Sequence, residues 1–160
     1  MMRETPTSPS RVQQVLSALV LQLPARRLTF GQLATRLEAS GESLRRRASR
    51  AAATDANRTQ LRHIVGIERW GQRRLGTILG QPPVADEYDE YRPAATIDWP
   101  ALREELVATR RETVAITHRL AAAGGGDDVT AHHNSQGDLT ARAWLYYLNV
   151  HANLEGLRLR

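Results

Sequence analysis

Three observations predict an all-α chain built as a four-helix bundle. Apolar residues recur every three to four positions over long segments, helix caps stand ahead of those segments, and no stretch alternates at period two for long enough to make a sheet. Ser8-Pro9 reads as an N-cap with proline at the first helical position, and residues 1–7 before it read as a disordered tail. Val12, Val15, Leu16, Leu19 and Leu23 then share one face, and Pro24 stops that helix. A second long helix runs from Thr54 or Asp55 to about Leu79, with Leu61, Ile64, Ile67, Trp70, Leu75 and Ile78 inward, and Gly80 with Pro82-Pro83 closes it. The stretch Pro82 to Thr96, rich in proline, acids and tyrosine, reads as a long ordered connection. The third helix begins at Asp98-Trp99-Pro100 and carries a seam of Leu102, Leu106, Thr109, Thr113, Ile116 and Leu120 up to Gly124-Gly125-Gly126. Thr140 caps the last helix, with Leu139 and Trp144 spaced as a hydrophobic staple.

Leu28 to Arg50 fits this plan least well and reads as an extra short helical segment near the N-terminus. Phe30, Leu33, Ala34 and Leu37 make a short helix, Ser40-Gly41 a break, and Leu44 to Ala53 an arginine-rich second helix. Short helix, glycine turn and basic helix is the order of a helix-turn-helix. The plainer reading makes Arg45, Arg46, Arg47 and Arg50 the solvated face of a connecting helix, and that reading is favoured because no second basic element supports DNA binding.

The 160 residues are enough for a single domain with one core, residues 1–160. The absence of cysteine excludes disulfides, thiolate metal sites and cysteine nucleophiles. No apolar run approaches the roughly 20 residues of a membrane span, and Met1 to Pro6 lacks the apolar core of a secretory signal, so a cytoplasmic protein without membrane association is expected. The formal net charge is +5, and every basic residue is an arginine. That bias suits phosphate recognition, but GC-rich coding gives the same picture and is the simpler cause. No phosphate-binding glycine loop, serine nucleophile elbow or H-E-x-x-H motif competes for the chemistry.

The informative side chains are His63, His151 and Glu155. Trp144, Leu148, His151 and Glu155 follow at spacings of four, three and four, so one helical stripe built for burial carries an imidazole and a carboxylate. Buried polar groups of that kind need partners, and a divalent metal is one. His63, in line with Ile67 and Trp70, offers a third ligand from the second helix. Glu155 has a competing role as the ion-pair partner of an arginine such as Arg62 or Arg158. Glu68, about 140° round the helix from His63, reads as an ion-pair partner for a neighbouring arginine, and His118 as structural near a helix end. His132 reads as exposed, and Trp70, Trp99 and Trp144 as core, with Trp70 and Trp144 placed to wall a pocket. No spacing selects among Tyr88, Tyr91 and Tyr147.

The run Leu61-Arg62-His63-Ile64-Val65-Gly66-Ile67-Glu68-Arg69-Trp70 resembles the second helix of the DinB-like (YfiT-like) metalloenzymes. The resemblance continues through Asp98-Trp99-Pro100-Ala101-Leu102 and Arg110-Arg111, and ends in His133 to Thr140, Trp144-Leu145 and His151. It implies an up-down-down-up four-helix bundle, often dimeric, with a three-histidine metal site. His63 and His151 match two of the ligands, and the third position holds Glu155. Two histidines and one carboxylate remain a sound set for zinc, nickel, iron or manganese. The resemblance puts His133 and Asn134 near the mouth of the site, as substrate-binding residues beside Trp70 and Trp144. It implies a metal-dependent thiol S-transferase or a hydrolase acting on a small molecule, with a low-molecular-weight thiol as a possible co-substrate. The competing classes are a metal-free dimeric helical bundle and a stress-related DNA-binding protein using Arg45 to Arg50.

Overall fold

The computed structural model describes residues 18–125 and 128–160. The expected tail, the Ser8-Pro9 cap and the apolar positions Val12 to Leu16 lie outside them. Among the described residues are four long helices, α1 (Phe30–Arg50), α2 (Asp55–Ile78), α3 (Trp99–Ala122) and α4 (Ala141–Gly156), and one hairpin of β1 (Thr130–His133) and β2 (Gly137–Thr140). The chain is therefore mostly helical with a small two-stranded sheet. None of the described helices is long and apolar enough to cross a membrane.

Local chemistry sets most boundaries. The side chains of Thr54, Asp98 and Thr140 accept from the amides of Asn57, Ala101 and Ala143, each satisfying a donor that the first helical turn leaves open. Thr29 and Gln32 form a reciprocal capping box at the start of α1. Gly80 and Gly124, at φ +95° and +68°, take the left-handed turns that end α2 and α3.

Three expectations need correction. The segment Leu28 to Arg50 is neither short nor broken, because α1 runs through Ser40-Gly41 as one 21-residue helix. A glycine inside a helix costs about 1 kcal/mol, but here it permits a close approach: a Cβ at Gly41 would stand 2.5 Å from Cγ of Arg110 on α3. With no turn at that point, there is no helix-turn-helix. Secondly, Pro24 does not end a helix. It sits in the first turn of a short helical segment, Leu23–Arg26, where its missing N–H is not needed. The preceding Ala18–Gln22 is wound as a π-helix, which buries Leu21 and leaves Leu19 and Leu23 exposed. Thirdly, a sheet exists. Its strands are four residues each, too short for alternation to stand out, and they pair antiparallel with Ala131 opposite Leu139 and His133 opposite Gly137.

α1 packs against α3 and α4, and α2 packs against the same two. Two apolar clusters fill the interior. One joins Leu33, Leu37, Trp70, Leu75, Leu120, Leu139 and Trp144, and the other joins Leu44, Leu61, Ile64, Leu102, Leu106 and Ala152. Buried and half-buried polar contacts accompany these clusters. Ser40 donates to Asn149 Oδ1 at 2.6 Å, and buried Glu68 accepts from Thr113 at 2.6 Å while facing Arg110 at 3.0 Å. Glu68 thus meets an arginine, as its place on the helix implied. Gly71 marks a close approach of α2 to α4, since a Cβ there would lie 2.6 Å from Cδ2 of buried Leu148. Gly71→Val is expected to destabilise the protein by about 1–3 kcal/mol through overpacking. An unchanged urea midpoint would mean that the helices shift apart at little cost.

Candidate functional site

His63 stands on α2 one turn before Ile67, and His151 on α4 one turn after Leu148, so the packing of α2 on α4 brings the two imidazoles together. Their ring centroids are 5.2 Å apart, with the planes tilted by 60°. Tyr88, from a 3₁₀ turn over Tyr88–Tyr91, sets its ring edge-on to His63 at 5.5 Å, and Tyr147 lies 5.7 Å from His151. Of the tyrosines, then, Tyr88 and Tyr147 adjoin the pair, whereas Tyr91 spends its hydroxyl on Asp86.

Both histidines are held neutral. Burial pulls His63 below the ordinary imidazole range, the Arg92 guanidinium adds to this, and Glu155 opposes it. His151 is pulled to about 4, first by burial and then by His63, again against Glu155. Burial lifts the Tyr147 phenol to about 12, so it stays a hydrogen-bond donor at neutral pH. Arg92 lies over the Tyr88 ring, 5.3 Å from its centroid, and its Nη2 is 3.4 Å from His63 Nδ1. Because arginine only donates, Nδ1 is the acceptor, and the neutral ring carries its proton on Nε2.

Glu155 is close enough to be felt by both rings but is turned elsewhere. Its Oε2 accepts from Gln60 Nε2 at 2.6 Å and from Arg158 Nη1 at 2.9 Å. Among the described residues no group of three or more histidine, cysteine, aspartate or glutamate side chains converges as a metal site. The structure brings His63 and His151 together and gives Glu155 the arginine partner that its competing role required. In donor chemistry the two neutral imidazoles fit a divalent ion, while Glu155 as held does not complete a set of three.

Of the four residues expected at the substrate pocket, Trp70, Trp144 and His133 connect to this pair through the Tyr88 and Tyr147 rings, and most polar atoms of the four are engaged. His133 is 5 % exposed, stacked on Trp144 at 5.0 Å and edge-on to Trp70 and Tyr147 at 4.9 and 4.7 Å. The hairpin turn fixes its tautomer: Nδ1 accepts from the amides of Ser135 and Gln136, so the proton is on Nε2, which has no hydrogen-bond partner among the described residues. Burial, with His132 and Arg74 nearby, lowers His133 to about 3. Asn134 donates to the Asp86 carbonyl and to Glu87, tying the hairpin to the long connection. Trp70 and Trp144 are buried, their indole N–H groups donating to Asp86 Oδ1 and the Ala131 carbonyl. Both belong to the core, as their helical positions implied. His132 is exposed beside Asp138, and His118 is exposed on α3.

Sequence reasoning missed the groups that hold this arrangement. Asp86 binds Arg74 at 2.8 Å, with both side chains more than nine-tenths buried, and it also receives Trp70 and Tyr91. In the sequence Asp86 is one acid in an acidic run, and no local signal distinguishes it. Arg92 and Gln60 reach the site only through the fold. No family model, curated protein or solved structure matches the chain.

Proposed function

We propose that the protein is a divalent-metal-dependent enzyme with a DinB-like, up-down-down-up four-helix-bundle fold, of thiol S-transferase or hydrolase type. His63 and His151 hold the ion, and Glu155 is the candidate third donor. The observation that carries this reading is the contact between two neutral imidazoles from different helices. Neutral imidazole is the ligand form, and proteins commonly build such sites from facing helices. Zinc, nickel, iron or manganese bound there supplies the lowered pKa that makes a thiol or water a nucleophile near pH 7.

The chain's own residues have separate tasks in this reading. Gln60 and Arg158 grip one oxygen of Glu155 and orient its carboxylate, as partners of a ligand commonly do. Tyr88 and Tyr147 flank the imidazoles, and the Tyr147 hydroxyl is a donor for a small-molecule substrate. Trp70, Trp144 and His133 close the apolar side and exclude water, and Asn134 fixes the hairpin that carries His133. A low-molecular-weight thiol is the co-substrate of the transferase form. A homodimer belongs to the same reading, and Leu19, Val20, Leu23, Leu154 and Leu157 are among the exposed apolar side chains of the described residues.

Metal content of tag-free protein after reconstitution, read by inductively coupled plasma mass spectrometry, tests this. Near-stoichiometric metal is expected in the wild type, lost at least ten-fold in His63→Ala and His151→Ala while the helical circular dichroism persists. Comparable loss in Glu155→Ala assigns the carboxylate as a donor, and retention there assigns it to Gln60 and Arg158 alone. A wild type that takes up no metal overturns the reading. That result favours the second one, a metal-free helical bundle, whose specific support is the engagement of Glu155 by Arg158 and Gln60.

A further inference from the structure

A cavity of about 690 Å³ lies between α2 and α3, and neither His63 nor His151 lines it. That volume falls within the range of small-molecule sites. Arg69 and Arg73, one turn apart on α2, and Arg119 on α3 bring three arginines to the lining, against the single carboxylate of Glu112. Leu79, Ile116 and Tyr91 supply its apolar part.

Arg73 is the cation without a counter-charge. Its Nη1 donates to Gln81 Oε1 at 3.3 Å and to Thr77 at 3.4 Å, and its Nη2 donates to the Pro82 carbonyl. All three acceptors are neutral, and no carboxylate of the described residues lies within ion-pair distance of it. Gly76 shows that the placement is built into the packing, since any Cβ there would drive into the Gln81 oxygen that receives Arg73. The other two arginines hold acids on α3: Arg69 reaches Glu105 and donates to Thr109, and Arg119 meets Glu112 at 2.7 Å. Arg119 and Glu112 are both about half exposed. Such a pair contributes little, so a bound anion competes readily for Arg119. The α2 arginines have donors to spare as well. Arg69 Nη1 and Arg73 Nε have no hydrogen-bond partner among the described residues, and neither atom is buried. The lining therefore holds positive charge in excess, with accessible N–H groups to meet an anion.

The anion has a definable chemistry. Guanidinium N–H groups pair best with the oxygens of a carboxylate or a phosphate. A planar carboxylate is filled by one such fork, whereas arginines on both walls of a cavity suit a group that turns an oxygen to each. A phosphoryl group has three strong acceptor oxygens and close to two negative charges at neutral pH. We propose that the α2–α3 cavity binds a small organic phosphate monoester, its phosphoryl group held between Arg73 and Arg119 with Arg69 alongside, and its organic part against Leu79, Ile116 and Tyr91. The Tyr91 hydroxyl is spent on Asp86, so this residue offers the ligand its ring. The site is independent of the histidine pair and of any metal.

Phenyl phosphate, inorganic phosphate and phenol separate the charged group from its organic body. In isothermal titration calorimetry phenyl phosphate is expected to bind one per chain, with inorganic phosphate at least three-fold weaker and phenol at least ten-fold weaker. Arg73→Gln should weaken phenyl phosphate at least ten-fold, and Glu112→Gln, which releases Arg119, should tighten it several-fold. Arg36→Gln, at an exposed position of α1, removes the same unit of charge away from the cavity and should leave the affinity unchanged. Thermal melting checks that each variant is folded. No saturable binding of phenyl phosphate at millimolar concentration, inorganic phosphate binding as tightly as phenyl phosphate, or equal losses in Arg73→Gln and Arg36→Gln overturns the proposal. Should Arg73→Gln not fold, the exposed Arg119→Gln takes its place, with the same loss expected against Arg36→Gln.

Discussion

Replacing Asp86 by alanine is expected to destabilise the protein by about 3–5 kcal/mol, the range for removing one member of a buried ion pair. The loss exceeds that of an ordinary ion pair because Asp86 has three partners. Its carboxylate meets Arg74 at 2.8 Å and accepts from the Trp70 indole and the Tyr91 hydroxyl. Without it, a guanidinium that is 4 % exposed keeps the Val84 and Asp86 carbonyls and the face of the Trp70 ring, and the connection from Gln81 to Thr96 loses a buried anchor on α2. Asp89→Ala is the control, since the Asp89 side chain is 62 % exposed and its pair with Arg92 should contribute about 0–1 kcal/mol. Urea unfolding of the two variants side by side checks this. Equal, small losses would show that the connection is held by its backbone contacts and not by Asp86.

Acid is expected to destabilise the protein below about pH 6, with His133 as a main cause. Its native pKa is about 3, whereas an unfolded histidine titrates near 6.5. Between those values the unfolded chain takes up a proton that the native ring refuses, so stability rises with pH across that window. The contribution is complete above pH 6.5 and is lost as pH falls toward 3, by about 1.4 kcal/mol per pH unit, or roughly 3 kcal/mol between pH 6.5 and 4. The physical cause is burial first, among the rings of Trp70, Trp144 and Tyr147, with the charges of His132 and Arg74 acting in the same direction. His133→Asn retains an acceptor for the Ser135 and Gln136 amides and cannot titrate, so its stability should change less steeply by about that slope. Parallel pH profiles for the two proteins would remove His133 as the cause.

The parts of the fold legible in the chain are those governed by local chemistry. The caps at Thr54, Asp98 and Thr140 and the stops at Gly80 and Gly124 depend on groups within a few residues of one another. The burial of Leu61, Ile64, Trp70, Leu102, Leu106 and Trp144 follows from a helical period that needs only the sequence to be seen. Ser40-Gly41 misled for the opposite reason. A glycine is locally a helix breaker, but its cost of about 1 kcal/mol is small against the packing of a 21-residue helix on two neighbours. The hairpin escaped because four-residue strands carry too few positions to display a period.

The candidate site divides along the same line. That His63 and His151 lie on inward faces was readable from spacing, and α2 against α4 then sets their rings 5.2 Å apart. The direction of Glu155 was not readable, because Gln60 lies 95 residues away and competes for the same oxygen. The tautomer of His133 depends on a turn, and the burial of Arg74 with Asp86 on a connection folding back over α2. By itself, then, the sequence determined a mostly helical chain and which faces of its helices turn inward, since periodicity and capping are short-range. Only the tertiary structure decided the partner of each buried charge, because an ionic or hydrogen-bonded partner is chosen by distance in space, and several arginines and carboxylates in this chain were equally available to one another until the helices packed.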